Sequence, residues 1–162
     1  MKFVCRLLPG LLALAGLAAL GMSKPPPITV RFYVEANARD GDAFAKPITL
    51  HNPEREAYIE RVPSISEQSI KAMYAFQAKD GSWGVAFKLD PKGRMDLEVA
   101  STAKRGGSMV VFVMTPKGVH QVIDMLIDKP VRDGIITIPK GLTEKEIASL
   151  SKVYPLIGQA RK

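Results

Sequence analysis

Residues 85–150 decide the fold: VAFKLDPKGRMDLEVASTAKRGGSMVVFVMTPKGVHQVIDMLIDKPVRDGIITIPKGLTEKEIASL. In order they give strand, helix, strand, strand, strand, helix, with glycines and prolines at the joints. Asp90 can accept the free N–H groups of a first helical turn. Pro91 fits the first helical position, where its missing N–H has no partner. Met95, Val99 and Ala103 recur at four-residue spacing and predict the apolar face of that helix. Gly93 lowers its helix propensity, and Arg105-Gly106-Gly107 ends it. Residues 109–114 are continuously apolar and rich in Val, as in a central strand covered on both faces. In residues 119–128, Gln121, Ile123, Met125 and Ile127 share one face, and His120, Val122, Asp124, Leu126 and Asp128 share the other. Asp133-Gly134 turns into a strand over 135–138. Thr143 and Glu146 form a capping box for the last helix, whose Ile147, Leu150 and Tyr154 should pack on the sheet before Pro155 stops it.

Upstream, residues 28–35 read as a strand with Val30, Phe32 and Val34 inward. Thr29, Arg31, Tyr33 and Glu35 face outward, which predicts a wet face. Short strands are expected over 47–50 and 57–62, broken by His51-Asn52-Pro53. Ser64 with Glu67, or Ser66 as the rival cap, predicts a short helix ending near Ala72. Residues 73–78 and 83–89 read as a hairpin turned by Lys79-Asp80-Gly81-Ser82, where Gly81 accepts positive φ. Strands in mixed order, with two or three helices on one face of a mixed or antiparallel sheet, make a two-layer α+β sandwich.

The first 21 residues stand apart. Lys2 and Arg6 precede an apolar run over 7–20, and Ala19 and Gly21 supply the small residues of a cleavage site, so a secretory signal is expected. At about 14 residues the run is short of the ~20 that a spanning helix needs, with an uncleaved anchor as the alternative. Cys5 precedes the run, where a lipid-attachment cysteine would follow it. The chain has one cysteine, so its remainder has no disulfide or thiolate site. Residues 22–27 contain Pro25-Pro26-Pro27, a stiff spacer. Residues 28–57 form an N-terminal strand extension, 58–156 the main α+β domain, and 157–162 a flexible tail.

Of the formal charge of +7, two units belong to Lys2 and Arg6. The other cations are scattered among acids, and the longest basic cluster is Lys104-Arg105. This argues against a nucleic-acid partner and suits a solvated surface, with peripheral contact to an anionic membrane as a weak option.

The order of turns and core residues resembles the head part of the first large periplasmic domain of SecD and SecDF, accessory proteins of the general secretion translocon. The resemblance covers roughly residues 59–150. Ile70 fits the isoleucine of a short helix before a hairpin. Residues 85–89, Asp90 and Gly93 fit the strand, acid and glycine that follow, with Leu97 at a position usually aromatic. Ser101 or Thr102 fits a threonine, and Gly106 the glycine before the next strand. Residues 110–118 match an apolar strand ending in Gly. Leu126, Ile127, Pro130, Gly134 and Ile138 follow in the family's order, and Leu142-Thr143-Glu144 with Leu150 matches its closing helix. Met125 stands where the family commonly has proline, and Ile147 where it has alanine. The strand after Gly118 is one residue longer. The family's membrane helices and intramembrane acids have no counterpart, so the resemblance implies a head-like exported module and not a proton-driven motor. It implies polypeptide clients, or a translocon or envelope protein, as partners.

No catalytic constellation stands out, and no enzyme activity, cofactor or metal is expected. His120, Asp124 and Asp128 would lie about 13 Å apart in succession at ~3.3 Å per residue, too far to share a metal. His51 could join them only by a tertiary contact. Ser101-Thr102 with Lys104 reads as a polar helix end, lacking the oxyanion context of a Ser/Lys site. Asp80-Gly81 and Asp133-Gly134 are turns without the further acids of a calcium loop. Gly106-Gly107 follows a helix, whereas a phosphate loop precedes one. Trp83, Asp124 and Met125 are the candidate partner-contact residues. The expected function is a non-enzymatic export-linked binding module. The alternative is a structural or assembly subunit of the cell envelope using the same fold as a scaffold.

Overall fold

The structure is a computed structural model that describes residues 28–158. The expected signal, the spacer and residues 159–162 of the expected tail lie outside the described residues. Eight strands and two α-helices follow in the order β1 (Thr29–Ala36), β2 (Ala45–His51), β3 (Glu54–Glu60), β4 (Ile70–Gln77), β5 (Trp83–Leu89), α1 (Pro91–Ala103), β6 (Ser108–Thr115), β7 (Gly118–Leu126), β8 (Ile135–Leu142) and α2 (Glu144–Val153). The result is an α+β sandwich. Its strands divide into two sheets, β2-β3-β1-β6-β7 and β4-β5-β8, and pair antiparallel throughout.

The main core lies where the two sheets and both helices meet. β1 contributes Val30, Phe32 and Val34, and β6 contributes Met109, Val111 and Val113. Met73, Val85, Phe87, Ile136 and Ile138 come from the smaller sheet, and Leu97, Ala100, Ile147 and Leu150 from the helices. Phe87 joins the layers. Its ring meets Phe32 edge-on at 6.3 Å and Tyr154 at 6.0 Å. Pairs of this geometry add about 0.5–1.5 kcal/mol each beyond the area they bury.

Both expected helix starts form. The Asp90 carboxylate accepts from Gly93 N at 2.6 Å, and Thr143 and Glu146 cap α2 reciprocally. The buried face of α1 differs from the expectation. Met95 and Val99 are each 66% exposed, and Gly93, Leu97, Ala100 and Ser101 face inward. The reason is a close approach: a Cβ on Gly93 would sit 2.6 Å from Ser69 Cβ, so the glycine lets the helix settle against the segment before β4. Ser101 Oγ accepts from Val131 N at 2.9 Å, fixing the same face at its other end.

The short helix expected after Ser64 is a single 3-10 turn, Glu67–Ser69, and Ser66 caps it without a side-chain bond. The Glu67 carboxylate is engaged elsewhere, by the Arg31 guanidinium at 3.0 Å, and that hydrogen bond holds its carboxyl below the usual range. Ile70, expected on this helix, begins β4.

The outer face of β1 is drier than its sequence pattern suggests. Tyr33 is 8% exposed and packs with Leu50, Ala57, Ile59 and Val110 in a second apolar cluster. The β2–β3 hairpin folds over this face, so β6 is covered on both sides, as its unbroken apolar run predicts. Tyr33 and Phe112 meet edge-on at 5.6 Å beneath the Lys46 ammonium, which lies 4.9 Å and 5.2 Å from their rings. The charged neighbours of Tyr33 also have partners. Arg31 pairs with Glu67, and Glu35 accepts from Arg55 at 2.7 Å and from Ser108 N at 3.0 Å.

Residues 155–157, partly assigned to a flexible tail from sequence, lie along β4. Met73 N donates to Pro155 O at 2.9 Å, Ile157 N donates to Met73 O at 2.9 Å, and Leu156 bridges Met73 in parallel.

Candidate functional site

β7 carries an irregularity that rearranges the polar residues read from sequence. Val111 opposes Ile123 and Phe112 opposes Gln121, so Val122 is an extra residue in the ladder. A bulge of this kind shifts the alternation by one. His120, opposite Val113, therefore faces away from Asp124, and the shared face expected for His120 and Asp124 does not form. His120 Nε2 lies 3.2 Å from Glu146 Oε1 on α2. Gln121 and Asp124 come to the same side instead, beneath the tip of the β2–β3 hairpin.

Asp124 is 2% exposed, not solvated. Its Oδ1 accepts from His51 N at 2.9 Å and its Oδ2 from Asn52 N at 2.8 Å. Gln121 Nε2 lies 3.3 Å from Oδ1 and 3.1 Å from His51 Nδ1. The turn held this way contains the cis Asn52–Pro53 bond. The tertiary contact His51 needed to reach this group is thus present. The carboxylate clasps the hairpin to β7 and has no exposed surface to offer a partner. Among the described residues, no group of three or more His, Cys, Asp and Glu is placed to hold a metal ion.

The other two candidate contact residues lie on different elements. Trp83 starts β5, opposite Gln77 and Leu142, half-buried at the rim of the main core. Met125 is half-buried and lines a recess of about 140 Å³ with Met109, Ile127, Val131 and Ile136. The turn carboxylates are occupied locally. Asp80 accepts from Ser82 N and Oγ, and Asp133 from Ile135 N.

Two further surfaces hold none of the three candidate contact residues. One is a cleft of about 330 Å³ between α1 and the loop after β3, with Val34, Glu60, Val99 and Lys104 in its walls. Lys104 Nζ reaches Glu60 at 3.2 Å across it, and the exposed side chains of Phe44 and Val62 lie on the other side of Glu60. The signal was the four-residue spacing of Met95 and Val99, read as core. The other is β4, an edge strand whose Tyr74 is 58% exposed. Its sequence from Met73 to Gln77 carries no charge and no proline.

No family model matches the sequence, and no curated protein matches it. Solved structures do match the fold. One, described as the structure and function of a membrane component SecDF that enhances protein export, superposes with a TM-score of 0.52 at 11% identity, over 85% of this chain and 70% of that one. A second, SecDF in a super-membrane-facing form, gives 0.50 at 13% identity over 81% of this chain and 20% of that one. The chain has a SecDF-like fold, and it spans a fifth of the second structure. Among the described residues no helix is long and apolar enough to cross a membrane.

Proposed function

We propose that this chain is an exported, non-enzymatic module of protein export that binds polypeptide, or a translocon or envelope protein, through its surface. The observation that carries this reading is the SecDF-like fold over 85% of the chain. Fold alone does not fix activity, so the reading draws also on the surfaces the fold leaves open, an uncharged sheet edge and an apolar-walled cleft. A second reading, an assembly subunit held by one envelope partner, is favoured by one observation. Phe44, Val62, Met95 and Val99 are each at least 66% exposed, and three of the four are placed around Glu60 by the adjoining clefts.

In-cell photo-crosslinking separates the two. A photoreactive residue is placed at Tyr74 and, separately, at Val99, and adducts are identified by mass spectrometry. Many exported polypeptides, or translocon subunits, support the export reading. A single dominant envelope protein at Val99, with neither of those at Tyr74, replaces it with the assembly reading.

A further inference from the structure

We propose that the outer edge of β4, from Met73 to Gln77, is a strand-acceptor site for an extended, uncharged, apolar stretch of another polypeptide, in a parallel lane that the chain's own residues 155–157 partly occupy. This rests on the polypeptide-binding reading above and assigns it a place and a direction.

Four strands end the two sheets: β2 and β7 in one, β4 and β8 in the other. Three of them are blunted. β2 contains Lys46 and Pro47, β8 contains Pro139 and Lys140, and β7 is clasped to the hairpin through Asp124. Charges and prolines are the usual means of keeping an edge from pairing with foreign strands. β4 carries Lys71 near its start but neither charge nor proline between Met73 and Gln77, and Phe76 lies across Gly84 beside Tyr74 to make the exposed side of the hairpin aromatic.

The edge already accepts one bridging residue. Met73 uses both its N–H and its C=O outward, to Pro155 O and from Ile157 N. Strand backbone groups repeat their direction every second residue, so Ala75 and Gln77 present theirs on the same side. Within the described residues, the chain's own segment leaves the extended run at Gly158, which lies opposite Ala75 in this register and takes φ +91°. Leu156 is 45% exposed, so little side-chain burial reinforces the two hydrogen bonds that hold the segment. A longer incoming strand would gain Ala75 and Gln77 in addition to Met73. Main-chain pairing reads backbone and not sequence, and the side chains beside Tyr74 and Phe76 would select apolar residues.

The test uses the full chain with two probes: a fluorescein-labelled peptide copying residues 153–157 and continued by Val-Leu-Val-Leu, long enough to reach Gln77 in the register of Leu156 with Met73, and reduced, carboxymethylated α-lactalbumin as an unfolded polypeptide. Amide hydrogen exchange is followed by NMR. Saturating peptide should slow exchange at Ala75 and Gln77, and Ile157→Pro, which removes one tail hydrogen bond, should tighten peptide binding by about fivefold. Gln77→Pro removes an outward N–H and should weaken binding by about the same factor. A peptide N-methylated at alternate residues should lose binding on the unaltered chain, which keeps the test decisive if Gln77→Pro unfolds. Binding of either probe with no protection at Ala75 and Gln77, or equal binding of the N-methylated peptide, overturns the edge site and leaves polypeptide binding standing. Failure of both probes to bind overturns both.

Discussion

Asp124 shows how much a single carboxylate can organise. It satisfies two backbone N–H groups at the hairpin tip, and removing it leaves those donors without their acceptor. A lost acceptor of this kind costs about 1–3 kcal/mol. Asp124→Ala is therefore expected to lower unfolding stability by about 2 kcal/mol in urea titration, and Asp124→Asn, which keeps one oxygen, by less. Gly93 gives the opposite lesson about propensity. Alanine is the better helix former by ~1 kcal/mol, yet Gly93→Ala is expected to destabilise because its Cβ would meet Ser69 Cβ at 2.6 Å. Adding Ser69→Gly should recover part of the loss in thermal melts. Neither residue was legible in this role. Asp124 read as a partner-contact residue on the face of His120, because no alternation rule anticipates the extra residue at Val122 that separates the two. Gly93 read as a weak helix position because its neighbour lies 24 positions earlier in the chain.

Among the elements, α1 was legible in its start and end but not in its orientation. Asp90-Pro91 and the glycines after Arg105 mark its limits by local chemistry. Two stripes compete inside it, however: Met95–Val99–Ala103, and Gly93–Leu97–Ala100–Ser101. The first is more apolar, and the second wins because it contains the small residues that permit close packing. Leu97→Ala is accordingly expected to cost about 2–5 kcal/mol and Val99→Ala less than about 0.5 kcal/mol, measured side by side by chemical denaturation. The reverse order would restore the face predicted from spacing. β6 was legible for the converse reason: residues 109–114 have no polar position to leave uncovered. What covers its outer side was not, because Ile48, Leu50, Ala57 and Ile59 are spread over two strands among charged neighbours.

For the molecule as a whole, the α+β sandwich was legible because caps, turns and periodicity agree over residues 85–150. Its division into two sheets depends on pairings between distant segments, such as β1 with β6, that no local pattern encodes. The same long-range packing sets an alkaline limit on stability. Tyr154 lies against Phe87, and burial pushes its phenol up to about 12 from an ordinary value of 10.0. The folded state holds the proton that the unfolded chain releases first. This contribution is therefore complete below pH 10 and is lost as pH rises through 12. Stability should fall across that window, a phenolic absorbance change near pH 12 should accompany it, and Tyr154→Phe should flatten the fall.

The hairpin of β2 and β3 has its own apolar cluster, separate from the main core. Units whose packing is separable can open without the rest unfolding. Release of the Asp124 clasp together with the Arg55–Glu35 pair and the Lys46 contact would let the hairpin lift as a flap about its pairing with β1 while the layers around Phe87 stay closed. The surface laid bare would be Tyr33, Val110 and Phe112, an aromatic floor hidden in the closed molecule.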